Sequence, residues 1–475
     1  MKKRLLVTLL IVFGTIAGGF TQEMVKKEVK FGQLAPLPRQ DEAMKKWREN
    51  RFGQFIHWGL YAIPGGVWKG KTYNYAAEFL KSSAKIPTST WDSLVYQFDI
   101  PKYNPEEWAD IAKNMGVKYV TITTKHHEGF CLWPSKYTDF DIERTPYKKD
   151  LLREFVDAYT AAGIDVNFYY SVLDWHHPDW RYDLKNQADT VAFNRFKEFV
   201  KNQLVELVTR YPEIKGLWFD GTWDASWKKN GQFSYELEKL LKEKRPGLIV
   251  NSRMRADEYG SRHFDSNGVL MGDYESGYER RLPDLCNTEV LTRDWECCMT
   301  IPENQWGYHK DWSISHVKSS MELLEMLVQC VSQNGNFLLN FGPMGNGDIR
   351  SEERQIAKEI GDWMHVNSEA IYGCVPSGLQ NQGWGYFTQN KPSGKTYMLV
   401  FNNPVSGKYK VRLKKGQTLS KASYIDNKNK CLKIEQISNT EYFIVPDKIG
   451  TRQPFVIVLE IEDKDSAKFH QKALT

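Results

Sequence analysis

Short apolar runs alternate with longer helical patterns between about residues 45 and 370. The runs lie at 52–57, 117–123, 164–170, 214–219, 248–251 and 336–341, and helical stretches such as 105–115, 150–162 and 192–210 separate them. This alternation predicts parallel β-strands in βαβ units. Repeated over this length, and with no G-x-G-x-x-G motif opening a helix, it favours an α/β fold with a (β/α)8-like barrel over an open doubly wound sheet.

Polar and ionisable residues end or closely follow five of these runs. They are His57, the pair His126 and His127, Tyr170, Asp220, and Arg253. Barrel enzymes place their active sites at the carboxyl ends of the strands. We therefore expect these side chains to surround one pocket.

The pattern changes after Gly373, where short strand-like segments recur about every ten residues, separated by Gly, Asn, Asp and Lys. This spacing predicts a C-terminal antiparallel β-sandwich. We thus predict a catalytic domain at 23–373 and a sandwich domain at 374–475. The sandwich has no clear run of exposed aromatic residues, so a structural lid on the barrel is favoured over a carbohydrate-binding module.

The N-terminal segment 1–22 has the pattern of a secretory signal peptide, with Lys2, Lys3 and Arg4 preceding an apolar stretch and then small residues. We expect the chain to be exported, to the periplasm or outside the cell, without membrane insertion of the mature chain. The chain has 64 Lys and Arg against 59 Asp and Glu. Removing three positive charges leaves it near neutral, which gives no electrostatic reason to expect nucleic-acid binding.

Asp220 ends the strand-like run Gly216-Leu-Trp-Phe-Asp220 and is followed by Gly221, so its carboxylate is expected in a confined apolar pocket. A helix cap is the simpler interpretation of an Asp at this position, but the other strand ends favour chemistry. Glycoside hydrolysis needs a second carboxyl group that acts as an acid. Glu275 and Glu296 are the two candidates, and their spacing from Asp220 does not decide between them.

His57, His126, His127 and Asp220 also permit a metal-dependent barrel hydrolase. Against a metal site, no H-x-H motif lies on the first strand, and Trp58 and Trp218 suit the face of a sugar ring better. Neutral imidazoles donate and accept hydrogen bonds, as a ligand rich in hydroxyl groups requires. The pair His176 and His177 lies beyond a strand, in a loop, and is expected to be structural.

Eight segments together resemble the α-L-fucosidases of glycoside hydrolase family 29. They are 55–59 (FIHWG), 123–130 (TTKHHEGF), 169–171 (YYS), 217–221 (LWFDG), 295–300 (WECCMT), 306–308 (WGY), 335–343 (GNFLLNFGP) and 367–373 (NSEAIYG). Their order and spread cover most of the predicted barrel. The fold of this family, a (β/α)8-like barrel followed by a β-sandwich, agrees with the pattern described above.

The resemblance implies an exo-acting retaining α-L-fucosidase that removes terminal fucose from glycans with Asp220 as nucleophile. It implies sugar-binding roles for His57, Glu78, His126, His127, Tyr170, Trp218, Arg253 and Trp306. Phe79 stands where the family usually has Trp. For the acid/base we choose Glu275, which resembles a family carboxylate, over Glu296. No metal or cofactor is expected, and a fucose-binding protein that has lost catalysis is the remaining alternative.

Overall fold

The computed structural model describes residues 39–446 and 454–463. The predicted signal segment and the predicted outer limits of both domains lie outside these residues. The first part of the chain forms a sheet of eight parallel strands. These strands, β1 to β8, are Phe52–Ile56, Tyr119–Lys125, Asp165–Ser171, Gly216–Asp220, Ile249–Val250, Glu275–Glu279, Trp295–Thr300 and Gly335–Phe341.

The sheet curls into a barrel with the strand order β5-β4-β3-β2-β1-β8-β7-β6. Its two edge strands meet at a single parallel bridge between Asn251 and Tyr274, which closes the ring. The predicted fold class, a (β/α)8-like barrel followed by antiparallel sheets, is confirmed. The six predicted runs correspond to β1–β5 and β8, whereas β6 and β7 were not predicted.

Helices cover the outside of the barrel. The longer ones, α1 to α7, are Glu42–Asn50, Pro105–Met115, Leu151–Ala161, Gln187–Arg210, Gly231–Lys244, Ser320–Ser332 and Ser351–Asn367; short helices span Leu80–Ser83, Thr88–Asp92 and Ala225–Lys228. Local sequence fixes several ends: Asn104 caps α2 with Pro105 in its first turn, and Ser319 and Glu322 form a capping box on α6. None of the helices within 39–446 and 454–463 combines the length and apolar composition needed to cross a membrane.

Side chains that point into the barrel form a separate cluster below the strand ends, built from Phe55, Tyr119, Tyr169, Trp218, Cys298 and Leu338. One of these rings, that of Tyr119, fits because β1 carries glycine where the ring crosses it. A Cβ on Gly53 would lie 2.4 Å from the Tyr119 ring. Large interior rings thereby make a solid floor for the cavity at the carboxyl ends of the strands.

The chain after the barrel forms two antiparallel sheets. Their strands, β9 to β17, are Val375–Pro376, Gly385–Gln389, Thr396–Val400, Tyr409–Arg412, Gln417–Tyr424, Asn427–Cys431, Lys433–Gln436, Glu441–Val445 and Phe455–Asp463. The larger sheet has the order β9-β10-β11-β17-β13-β14, and the smaller one has the order β12-β16-β15.

Both faces of the larger sheet are buried. On β11, Met398 and Val400 belong to the core between the two sheets, whereas Tyr397 and Leu399 belong to the same apolar cluster as the barrel helices. Hydrogen bonds support this contact: the Thr388 hydroxyl donates to the Ala370 carbonyl at 2.8 Å, and the Trp363 indole donates to the Pro454 carbonyl at 2.8 Å. The sandwich is therefore packed on the barrel as part of one structure.

We predict that Leu399→Ala lowers the free energy of unfolding by about 2–5 kcal/mol, because it leaves a cavity between the larger sheet and the barrel. Val405→Ala, at a fully exposed position, is the matched control and is expected to change this free energy by less than about 0.5 kcal/mol. Urea unfolding followed by tryptophan fluorescence and by circular dichroism measures both. Two separate transitions, with only one of them affected by Leu399→Ala, would show that the domains unfold independently.

Candidate active site

Polar and aromatic side chains at the carboxyl ends of the barrel strands surround a cavity of about 190 Å³. Pockets for drug-sized ligands usually measure roughly 300–1,000 Å³, so this one suits a single small ring. Its lining is Phe55, His57, Glu78, Phe79, His126, His127, Tyr169, Trp218, Asp220, Trp223, Arg253, Arg262, Glu279 and Trp306.

Asp220, the last residue of β4, lies at the centre of this lining. Its Oδ1 accepts hydrogen bonds from Arg253 Nη1 at 3.0 Å and Arg262 Nη2 at 2.5 Å, and its Oδ2 accepts one from the Tyr169 hydroxyl at 3.2 Å. Burial opposes the charge of this carboxyl group, but the two guanidinium groups outweigh burial and hold the pKa of Asp220 well below its usual range. Asp220 is therefore an anion throughout the physiological pH range.

Three buried histidines form one wall. His57 Nδ1 lies 2.7 Å from Asn340 Oδ1, and His127 Nδ1 lies 2.6 Å from the Ser171 hydroxyl. Burial lowers the pKa of His57 to about 3, that of His127 to about 4, and that of His126 well below its usual value. The imidazoles are thus neutral at physiological pH and present both donors and acceptors.

Glu78 stands beside these histidines in the turn Ala77–Phe79. Its Oε2 accepts the backbone N–H of Gly307 at 2.9 Å, and burial raises its pKa to about 7. Within the described residues, Glu78 Oε1 and His126 Nδ1 are both buried without a hydrogen-bond partner. Unpaired buried polar atoms are costly, and two of them at one cavity are ready for the hydroxyl groups of a ligand.

Trp306 adds an apolar surface beside His57. Its ring centre lies 5.0 Å from that of His57 and 5.9 Å from that of Phe55. Its backbone carbonyl accepts the Asn340 side-chain amide at 2.7 Å, and this amide group also holds His57. One asparagine on β8 thereby fixes both the imidazole and the neighbouring indole.

The tyrosine in the cavity is Tyr169, which corrects the expectation for Tyr170. In the register of β3 and β4, Tyr169 pairs with Trp218 and Tyr170 pairs with Phe219. Because side chains alternate along a strand, Tyr169 points inward and stacks on Trp218, with ring centres 5.6 Å apart. Tyr170 points outward, where its hydroxyl donates to Gln203 of α4 at 2.8 Å.

Glu275 also lies away from the cavity, which corrects its choice as acid/base. It begins β6, at the end of the barrel opposite the site, and its Oε2 accepts Arg293 Nε at 2.5 Å. A β-bulge between Glu275 and Tyr278 inserts one extra residue opposite β7. The bulge reverses the alternation of side chains, so that Glu275 faces the outside of the barrel and Glu279 faces the inside.

Glu279, the last residue of β6, lines the cavity near Asp220. Its Oε2 accepts Arg253 Nη2 at 2.9 Å and lies 3.9 Å from Arg262 Nη1. One guanidinium group, that of Arg253, therefore connects the two carboxylates at this cavity. Glu279 follows the rule of polar residues at strand ends, but Glu275-Ser-Gly-Tyr-Glu279 is too polar to be recognised as a strand from sequence.

Glu296 points into the barrel but lies beneath the cavity floor. Its oxygens accept the Tyr119 hydroxyl at 2.7 Å and the Trp218 indole N–H at 3.0 Å. Burial raises its pKa to about 7. With Trp218 between it and the cavity, Glu296 orients the floor rather than contacting a ligand.

Trp223 and Arg262 were not predicted from the sequence because both lie in loops. Trp223 follows β4, and Arg262 belongs to the segment 251–274 that connects β5 to β6. The Arg262 guanidinium lies over the Trp223 ring, 5.0 Å from its centre. Only spatial proximity to Asp220 reveals them, since loop residues show no periodicity in sequence.

The second histidine pair has structural contacts. His176 Nδ1 lies 2.9 Å from Asp92, and the backbone N–H groups of His176 and His177 both donate to Asp174. Asp174 in turn pairs with the buried Lys125 at 2.9 Å. Across the described residues, His, Cys, Asp and Glu side chains are nowhere grouped in threes or more in a way that would hold a metal ion.

Comparison with known proteins identifies the family of the chain. A family model described as Alpha-L-fucosidase matches residues 22–369. The tissue alpha-L-fucosidase of Rattus norvegicus is 31% identical over 390 residues, which cover 79% of this chain and 78% of that protein. The tissue alpha-L-fucosidase of Homo sapiens is 32% identical over 347 residues, or 70% of each chain.

Solved structures similar to this chain are α-L-fucosidases as well. An alpha-L-fucosidase GH29 from Bacteroides thetaiotaomicron is 53% identical, covers 92% of this chain and 98% of its own, and superimposes with a TM-score of 0.89. A structure with the same identity and TM-score, covering 91% of this chain and 99% of its own, is a trapped covalent intermediate with 2-fluoro-fucosyl fluoride in a glutamate-to-glutamine mutant. The chain therefore belongs to the α-L-fucosidases of glycoside hydrolase family 29.

Proposed function

We propose that this retaining α-L-fucosidase cleaves terminal α-L-fucose with Asp220 as nucleophile and Glu279 as acid/base. The observation that carries the assignment is the bridge made by Arg253, which contacts Asp220 at 3.0 Å and Glu279 at 2.9 Å at the edge of one small cavity. Double displacement requires two carboxyl groups about 5–5.5 Å apart. A single guanidinium group between them is the right size for that spacing.

In the first step Asp220 attacks the anomeric carbon of the bound fucose. The bond between this carbon and the glycosidic oxygen breaks as Glu279, in its protonated form, donates its proton to the departing oxygen. A covalent fucosyl–Asp220 ester results. Because Arg253 and Arg262 keep Asp220 ionised, the nucleophile needs no separate base.

In the second step Glu279, now a carboxylate, takes a proton from water, and the water oxygen attacks the anomeric carbon. The ester bond breaks, Asp220 regains its charge, and fucose leaves with its configuration retained. The covalent intermediate of the Bacteroides thetaiotaomicron relative, trapped in a glutamate-to-glutamine mutant, supports the same two steps in this chain.

The remaining cavity residues bind the sugar. We assign hydrogen bonds to its hydroxyl groups to Glu78 and the three neutral histidines, and contact with its methyl group to the apolar face of Trp306. The cavity of about 190 Å³ accommodates one ring, which supports exo-cleavage of terminal fucose. The expected signal segment at 1–22 supports our further proposal that the enzyme acts on fucosylated glycans outside the cytoplasm.

Replacing Asp220 with Gly is expected to lower kcat for 4-nitrophenyl α-L-fucoside by at least about a thousandfold, because the attacking oxygen is lost. Azide occupies the vacated space and is expected to restore turnover, giving fucosyl azide of inverted configuration. Nitrophenol release and proton NMR of the product measure both effects. Activity of the Gly variant equal to that of the wild type would remove Asp220 from the reaction.

Replacing Glu279 with Gln is expected to lower kcat/KM for fucosyl disaccharides by about 10²–10⁴-fold, because the departing sugar oxygen then receives no proton. The effect on the first step for 4-nitrophenyl fucoside is expected to be smaller, since nitrophenolate leaves without protonation. Glu275→Gln makes the same change at the residue bound to Arg293 and is the matched control, with turnover retained. The reverse pattern would assign the acid/base role to Glu275.

Replacing Glu296 with Gln is expected to keep turnover and to change how stability depends on pH. The folded-state pKa of Glu296, about 7, lies above its unfolded value. Its contribution to stability is therefore complete below about pH 4 and is lost as the pH rises through about 7. Relative to the variant, we expect the wild type to lose up to about 3 kcal/mol of unfolding free energy between about pH 4 and 8.

Urea unfolding of both proteins across this pH range measures the difference. Glu78, Glu128 and Glu353 have similarly raised pKa values, but they are present in both proteins and cancel in the comparison. If the free energy of unfolding changes with pH in the same way for the wild type and the variant, Glu296 is not held neutral by burial.

A further inference from the structure

The mouth of the cavity lies on the side of Arg262. Side-chain exposure rises from 2% for Arg253 to 14% for Asp220, 29% for Glu279 and 33% for Arg262. A terminal fucose buried in the cavity must present its glycosidic bond between Asp220 and Glu279, so the group that leaves lies toward solvent. Arg262 is the charged side chain that this leaving group meets first.

Trp223 supplies a flat surface at the mouth of the cavity, beside Arg262. It is half-buried, its ring centre lies 5.5 Å from that of His127, and the Arg262 guanidinium lies over it. Indole faces pack against the apolar faces of sugar rings. A guanidinium and an indole side by side at the mouth thus form a surface for a second sugar.

The two guanidinium and two carboxyl groups at the mouth, Arg253, Arg262, Asp220 and Glu279, together carry a positive charge during the reaction. When fucose binds, Asp220 is an anion and Glu279 carries the proton it will donate, so Arg253 and Arg262 leave an excess of one positive charge. When the ester has formed, Asp220 is uncharged and Glu279 is an anion, and the excess is again one. The neighbouring His57, His126 and His127 are neutral and do not alter this sum.

The excess charge resides on Arg262. Arg253 is buried and bonded on all sides, to Asp220, Glu279 and the Ser276 carbonyl. Arg262 contacts the same two carboxylates from the solvent side, and within the described residues its buried Nε atom has no hydrogen-bond partner. Nearby His263 is neutral, because burial lowers its pKa to about 3, and Arg281 beside it is a further cation.

We infer that Arg262 and Trp223 form the leaving-group subsite and favour fucosides whose leaving sugar carries an anionic substituent, either a sulfate ester or a carboxylate. Such a group supplies the countercharge that Asp220 and Glu279 leave unmatched, since they carry one negative charge between them in both states. It also matches the forked geometry of a guanidinium group. The inference rests on the proposed roles of Asp220 and Glu279 and adds to them the substrate class.

Three fucosyl disaccharides of one linkage test the inference: one with a neutral hexose as leaving sugar, one with its 6-sulfate, and one with the corresponding hexuronic acid. For a linkage that the wild type cleaves in the neutral form, we expect kcat/KM to be roughly tenfold higher for at least one anionic partner, the value of one charged hydrogen bond. Comparing the sulfate with the carboxylate identifies the source of the charge.

Arg262→Gln removes one of the two guanidinium groups that bond Asp220, so it is expected to lower kcat/KM for every fucoside. The preference, which is the ratio of kcat/KM for the anionic and the neutral disaccharide in one protein, is expected to fall to about one. Arg412→Gln removes an exposed arginine of the sandwich and is the matched control, with the preference unchanged. Arg262→Lys keeps the charge and is expected to keep part of the preference. Because the pairing is partly exposed, added salt is expected to weaken the preference in the wild type, a test that needs no variant.

A wild-type preference of one or below, or a preference that survives Arg262→Gln and high salt, would overturn the inference. So would a folded Arg262→Gln protein whose kcat/KM falls by the same factor for the neutral and the anionic disaccharides, because Arg262 would then act only through Asp220. These results are distinct from a failure of the proposed function, which appears as full activity after Asp220→Gly or Glu279→Gln. Inactivity of the wild type on every fucoside would reject both.

Discussion

The buried guanidinium of Arg253 is the interaction on which the site depends. It contacts Asp220 of β4 and both Glu279 and the Ser276 carbonyl of β6. Between these strands lies the weakest part of the barrel, where β5 has only two residues and one bridge joins Asn251 to Tyr274. Arg253 therefore strengthens the junction of the barrel and sets the distance between the two carboxylates. Desolvating this cation is costly unless it is well paired, and here each of its three nitrogens donates a hydrogen bond.

Around Arg253, the charge state of the side chains changes with their depth in the barrel. The deepest carboxyl group, Glu296, is surrounded by Tyr119 and Trp218, and burial raises its pKa to about 7. The middle layer combines neutral histidines with the ionised Asp220. The outer layer contains Glu279 and Arg262, where solvent and the leaving group approach. A sugar thus meets neutral imidazoles along its ring, and the two guanidinium groups lie where its bond breaks.

Sequence predicted the parts of the site that obey strand periodicity and strand ends. His57, His126, His127, Asp220 and Arg253 each follow an apolar run, and the structure brings them to one cavity. Periodicity failed where two neighbours have the same chemistry, as with Tyr169 and Tyr170, since only the register with β4 decides which one points inward. Prediction from periodicity also failed at Glu279. The bulge in β6 changes which side chains alternate inward, and the strand is too polar to be detected from sequence. Arg262 and Trp223 lie in loops and have no sequence periodicity at all.

The bridge between Asn251 and Tyr274 has a consequence for how enzymes of this architecture diversify. The segment between these residues leaves the barrel and returns to it at the same point, with Arg253 near one end and Glu279 just past the other. Insertions or deletions within the segment change what surrounds the mouth without moving either anchor. The number of residues that separate Asp220 from Glu279 in sequence, the two carboxylates proposed for catalysis, is then free to drift between relatives. Substrate preference can evolve in this loop while the reaction stays the same.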